Sequence, residues 1–348
     1  MSGRRRRRGA ADGPAPINLA LQGGGAHGAF TWGVLDGLLA DGRVAIEGIS
    51  GTSAGAMNAV VLADGLMDGG EHGARAALEA FWQDVSRLSH TSPIQKTVWD
   101  AMNGSWNLDA SPGYLMFDLM TRLASPYDLN PMNINPVREV LERHVDFDRV
   151  HHCDRVKLFI SATRVSTGRV KIFECKDITA DAVMASACLP HLFQAVEIDG
   201  EAYWDGGFIG NPALYPLIYN CASRDIVIVQ INPLEREGTP KTAREILNRV
   251  NEITFNASLM KELRAISFVT KLLDEGSLDG SRYKRILMHL IEADDEMAHL
   301  NASSKLNSEW AFLSHLKEIG RTAAAGWLDR HAEDLGKQST VDIREMFM

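Results

Sequence analysis

Hydrophobic positions along the chain fall into short runs that alternate with helical stripes. Ile17-Asn18-Leu19-Ala20-Leu21 is a short, mostly apolar run that ends at Gly23-Gly24-Gly25, after which Phe30, Val34, Leu35, Leu38 and Leu39 recur at helical spacing. This pattern predicts a strand, a glycine turn and a helix. A second run, 44–49, ends at Gly51-Thr52-Ser53-Ala54-Gly55 and leads into a small-residue segment at 56–63, so the same unit occurs twice. Further strands are expected at 157–162, 170–173, 226–231 and 285–291, with helices at 180–188 and 242–273 and a helical region at the end. Strands alternating with helices indicate an α/β fold, with a mainly parallel sheet covered on both faces.

Residues 91–136 interrupt the alternation. They are turn-rich yet carry Trp99, Met102, Trp106, Tyr114, Met116, Phe117, Met120, Tyr127 and Met132. Two readings are open: a helical insertion with its own small core, and a lid over an apolar pocket.

Composition narrows the class. At 348 residues, 45% hydrophobic and 23% charged, the chain has the make-up of a soluble globular protein. A net charge of −9 argues against a nucleic-acid partner, which needs an excess of cations on the bound face. The exception is local: Arg4 to Arg8 form a basic block, followed by Pro14 and Pro16, and residues 1–15 are expected to be a flexible arm able to meet an anionic membrane surface. The arginines precede Gly-Ala-Ala-Asp-Gly-Pro rather than an apolar run, which argues against an export signal. No stretch approaches the ~20 apolar residues of a spanning helix. Cys153, Cys175, Cys188 and Cys221 lack paired spacing, which suits a reducing compartment, so cytoplasmic residence is expected, with peripheral membrane association as an option. The oligomeric state is not legible.

The candidate chemistry lies in the turns. Gly51-Thr52-Ser53-Ala54-Gly55, between a strand and a helix, has the form of a nucleophile elbow: the glycines permit a sharp turn that exposes Ser53 at a helix N-terminus, where backbone N–H groups favour negative charge. The bland alternative is a helix-capping serine. Gly23-Gly24-Gly25-Ala26-His27-Gly28 exposes backbone donors suited to an oxyanion hole. The same hexapeptide satisfies the dinucleotide fingerprint, with Glu47 at about the expected ~20 residues, but an elbow where the ribose carboxylate should lie has no place in such a site. A serine needs a base. Asp205-Gly206-Gly207 is the best candidate, its glycines allowing a tight turn that aims the carboxylate. His151-His152-Cys153-Asp154 lacks metal-ligand spacing, and neither a metal nor a cofactor is expected. His289, His299 and His315 lie where a third triad member would stand, but none follows a clear strand turn.

Together these segments resemble the patatin-like phospholipase family: 23–28, 51–55 and 205–207, with Ala185-Ser186-Ala187-Cys188-Leu189-Pro190 similar to the family's Ala-Ser-x-x-x-Pro segment. The resemblance spans about 17–232. It implies a three-layer α/β/α sandwich, a Ser53–Asp205 dyad, an oxyanion hole in the glycine-rich loop and activity on phospholipid or other acyl-ester lipids by way of an acyl-enzyme. On this reading residues 16–232 form the catalytic domain, with a possible lid insertion at about 91–136, and 233–348 a mainly helical extension. Acyl transfer and a non-catalytic lipid-binding role are the alternatives, with the dinucleotide-binding oxidoreductase a more distant one. One departure stands out: His27 occupies a position that is usually Arg or Lys, which replaces a permanent cation by one expected to titrate near neutrality.

Overall fold

The computed structural model describes residues 13–90, 92–97, 104–236 and 238–347. The Arg4 to Arg8 block, Trp99 and Met102 lie outside the described residues. Eight strands form one sheet: β1 (Ala15–Leu21), β2 (Val44–Gly51), β3 (Lys157–Arg164), β4 (Val170–Glu174), β5 (Val196–Ile198), β6 (Glu201–Asp205), β7 (Asp225–Val229) and β8 (Leu287–Ile291). Their order is β5-β6-β3-β2-β1-β7-β8, with β4 also paired to β3. The β3-β2-β1-β7-β8 block is parallel, while β4, β5 and β6 pair antiparallel.

Alternation along the central strands assigns the two faces. Ile17, Leu19, Leu21, Val227 and Val229 enter one core, whereas Ala20, Ile226 and Ile228 enter a second on the opposite side. Helices cover both. On the first face lie α1 (Gly28–Asp41), α2 (Ala54–Arg87), α5 (Pro136–His144), α7 (Ala180–Ser186) and α11 (Trp310–His331). On the second lie α8 (Tyr215–Asn220), α9 (Ala243–Asp274) and α12 (Ile343–Phe347). The remaining short helices are α3 (Pro112–Leu123), α4 (Pro126–Leu129), α6 (Phe147–His151) and α10 (Asp294–Met297). The architecture is therefore the three-layer α/β/α sandwich. The region beyond residue 232 is mainly helical, yet it supplies β8 to the sheet and Phe312, Leu313 and Leu316 to the first core.

The interrupting segment does not enclose a core of its own among the described residues. Tyr114 is buried, but Met116, Leu123 and Met132 are 61%, 73% and 80% exposed. In α3 the row Leu115, Leu119, Leu123 faces solvent, flanked by Met116 and Met120. Its base is fastened to the C-terminal loops, where Leu108 N–H donates to Ser303 Oγ (2.9 Å) and Asn107 Nδ2 to the His299 carbonyl (2.9 Å).

Candidate active site

The parallel strands deliver three turns to one end of the sheet: the glycine-rich loop after β1, the elbow after β2 and the segment after β7, at the carboxyl ends where α/β sheets bind ligands. Ser53 stands at the head of α2 with φ 55° and ψ −121°, a conformation sparsely populated for residues other than glycine. Neighbours hold it there. Its N–H donates to Ser186 Oγ (2.9 Å), and Thr52 Oγ1 donates to the Gly210 carbonyl (2.6 Å). Gly51 and Gly55 bracket the turn, with the Gly55 N–H donating to the Thr52 carbonyl (2.8 Å). Ser53 caps nothing with its side chain, which leaves the hydroxyl free for Asp205.

Asp205 arrives by a different route. On β3, residues 157–160 pair with β2 and Ala162, Thr163 and Arg164 pair with β6, while β4 runs along 159–163. A strand has two edges, so β6 continues along β3 where β2 leaves it. That arrangement brings the ends of β2 and β6, and hence Ser53 and Asp205, to the same place. The β5–β6 hairpin is absent from the sequence expectations, although Asp199-Gly200 between them carried its signal: both residues have positive φ (53° and 78°), as a two-residue hairpin turn requires.

The Asp205 carboxylate is buried and accepts from Gly207 N–H (2.7 Å). Burial raises its pKa to about 7, opposed by hydrogen bonds from the Gly207 N–H and the Ser53 side chain and by the positive charge of Lys305. The nearby Cys188 thiol is pushed up to about 12 by burial, so it stays protonated. Its carbonyl accepts from the Asp205 N–H (2.8 Å).

Gly23 packs directly on the elbow: a Cβ there would stand 2.7 Å from Ser53 Cβ. The loop's donors divide into two sets. Gly23 N–H is committed to Asn211 Oδ1 (2.7 Å), His27 N–H to the Gly24 carbonyl (3.2 Å) and Gly28 N–H to the Gly25 and Ala26 carbonyls. Among the described residues, the N–H groups of Gly24, Gly25 and Ala26 have no acceptor, and Gly24 and Gly25 are accessible. Within the six-residue stretch expected to hold an oxyanion, these three are the N–H groups without an acceptor among the described residues.

His27 departs from expectation. It is buried, bonded through Nε2 to Ser304 Oγ (2.8 Å), and packed edge-on against Phe312. Burial, followed by the charges of Lys305 and Arg236, holds its pKa well below the ordinary value, so it is a neutral ring rather than one titrating near neutrality. The other histidines serve elsewhere. His289 bonds Asp225 Oδ1 (2.9 Å) and Thr340 Oγ1 (3.0 Å), His315 stacks on Trp106, and His299 is exposed. His151 and His152 bond different backbone carbonyls, of Ile178 and Asp148. Asn211, Asn232 and Lys305 belong to the site but to no motif singled out from the sequence.

Comparison with known proteins adds to this geometry. The family model described as patatin-like phospholipase matches residues 19–218. No curated protein matches the sequence. Among solved structures, VipD from Legionella pneumophila is similar at 15% identity and a TM-score of 0.42, over 92% of this chain and 68% of that one. ExoU, in its heterodimeric complex with SpcU from the type III secretion system of Pseudomonas aeruginosa, is similar at 15% identity and a TM-score of 0.39, over 92% of this chain and 53% of that one.

Proposed function

The chain belongs to the patatin-like phospholipase family, and from this premise we propose that it is a lipid acyl hydrolase in which Ser53 attacks the ester carbonyl and Asp205 takes its proton. The observation that carries the reading is a serine held at a strained elbow, its side chain close enough to a buried aspartate to favour the ionised carboxylate. A carboxylate in water is too weak a base for a hydroxyl; one raised to about 7 by burial is matched to neutral pH.

The steps follow from these groups. Ser53 Oγ bonds to the acyl carbon as its proton passes to Asp205, and the carbonyl oxygen becomes an anion facing the N–H groups of Gly24, Gly25 and Ala26. Collapse of the intermediate expels the alcohol of the lipid, which takes the proton from Asp205. Water then attacks the acyl-Ser53 ester with Asp205 again as base, releasing the fatty acid and restoring the hydroxyl. Access to lipid is assigned to the exposed apolar row on α3. Among the described residues no helix is long and apolar enough to cross a membrane.

The test is fatty-acid release from phosphatidylcholine vesicles. Wild type should release it and Ser53→Ala should lose about 10³-fold or more in kcat with its circular dichroism intact. Release that survives in Ser53→Ala at the wild-type rate overturns the reading.

A further inference from the structure

Lys305 lies about 100 residues beyond Asp205, outside every recognised motif. The 3-10 turn that carries it, Ser303–Leu306, packs against the glycine-rich turn Gly25–His27. Gly25 has φ 58°, and a Cβ on it would stand 2.5 Å from the Lys305 carbonyl oxygen. His27 Nε2 meets Ser304 Oγ at 2.8 Å. The Lys305 ammonium donates to Asn232 Oδ1 (2.7 Å), and Asn232 Nδ2 donates to the Gly23 carbonyl (2.7 Å). Gln22 completes the clasp, its Oε1 accepting from the N–H groups of Ile231 (2.9 Å) and Asn232 (3.0 Å).

The charges around Lys305 are few. Arg236 Nη2 and Arg249 Nη1 both bond Glu252, at 2.8 and 3.1 Å, so that one carboxylate is shared by two guanidinium groups and the trio keeps a net positive charge. Burial lowers the Lys305 pKa, opposed first by the charge of Glu252 and then by that of Asp205, with Arg236 acting against the ammonium; His27 is neutral, so within the dyad it is Asp205 on which the Lys305 charge acts. We propose that Lys305 is a positioning residue for the dyad: its ammonium anchors the glycine-rich loop through Asn232 and supplies positive charge to the pocket in which an acyl oxyanion forms. The proposal rests on the reading of Ser53 and Asp205 given above. It also accounts for the neutral ring at position 27, since the cation reaches the loop from the C-terminal region instead.

The charge has a consequence that a purely structural tether lacks. Removing it withdraws a field that favours the ionised base, so the acid limb of the pH–rate profile must move to higher pH.

The experiment is kcat/KM for p-nitrophenyl butyrate across pH for wild type, Lys305→Met, Lys305→Gln and Lys305→Arg, alongside Ser53→Ala and Asp205→Asn. Lys305→Met should lose about tenfold or more on the plateau and shift the acid limb upward by about one unit, while Lys305→Arg restores most of both. Lys305→Gln keeps a donor for Asn232 without the charge, should show the same limb shift, and answers the question if Lys305→Met does not fold. An unmoved limb in a folded, uncharged variant overturns the proposal. If Ser53→Ala or Asp205→Asn is as active as wild type, it is the dyad reading that fails, and the two failures are distinguishable.

Discussion

At the scale of single residues, burial of Asp205 costs stability wherever the carboxylate is ionised. Its folded pKa is raised from 3.8 to about 7, so the folded state holds the proton more tightly than the unfolded chain. The stability contributed by this group is complete below the unfolded pKa and is lost as pH rises through about 7. A shift of this size corresponds to roughly 4 kcal/mol of buried-charge cost at alkaline pH. Asp205→Asn keeps the acceptor for the Gly207 N–H but cannot ionise. It should therefore melt higher than wild type at pH 8, by an amount that shrinks toward pH 5, while losing nearly all turnover. Thermal melts of both proteins at the two pH values check this; a variant that melts lower at pH 8 and equally at pH 5 contradicts the assigned shift. The wild-type rate should in turn climb through about pH 7 as the base ionises.

At the scale of elements, what was legible in the sequence was local. The elbow and the Asp-Gly-Gly turn could be read because glycines flank the sharp turns that present Ser53 and Asp205, and the strands around them because β1, β2 and β7 are largely buried and read as apolar runs. His27 was read as a titrating cation because its burial beneath Phe312 and Ser304 is set by residues more than 250 positions away. Lys305, Asn211 and Asn232 escaped for the same reason: each is one polar residue in a loop, given meaning only by tertiary packing. Helix α3 was legible as unusual, though not as solvent-facing. Its exposed row makes a definite prediction. Leu115→Asp, Leu119→Asp and Leu123→Asp together should lower the ratio of vesicle to soluble-ester activity by well over tenfold, since each loses about 2 kcal/mol or more of apolar burial at a lipid surface. An unchanged ratio removes α3 from lipid contact.

At the scale of the whole molecule, the C-terminal region is structurally continuous with the α/β/α sandwich. Helix α11 lies against α1 so closely that a Cβ on Gly33 would stand 2.0 Å from the Lys317 carbonyl, and one on Gly320 would stand 2.1 Å from that of Phe30. That backbone-to-backbone seam fixes the 303–306 turn over the glycine-rich loop, and with it the position of Lys305. Ser53, Asp205 and the loop donors thus depend on segments from both ends of the described chain.

The most direct measurement of the central claim is intact-mass spectrometry and peptide mapping after incubation with a fluorophosphonate. Attack by an activated serine on phosphorus expels fluoride and leaves one stable phosphonyl adduct. The account predicts a single adduct on Ser53, absent from Ser53→Ala and formed far more slowly by Asp205→Asn. An adduct on another residue, or labelling of Asp205→Asn at the wild-type rate, contradicts it.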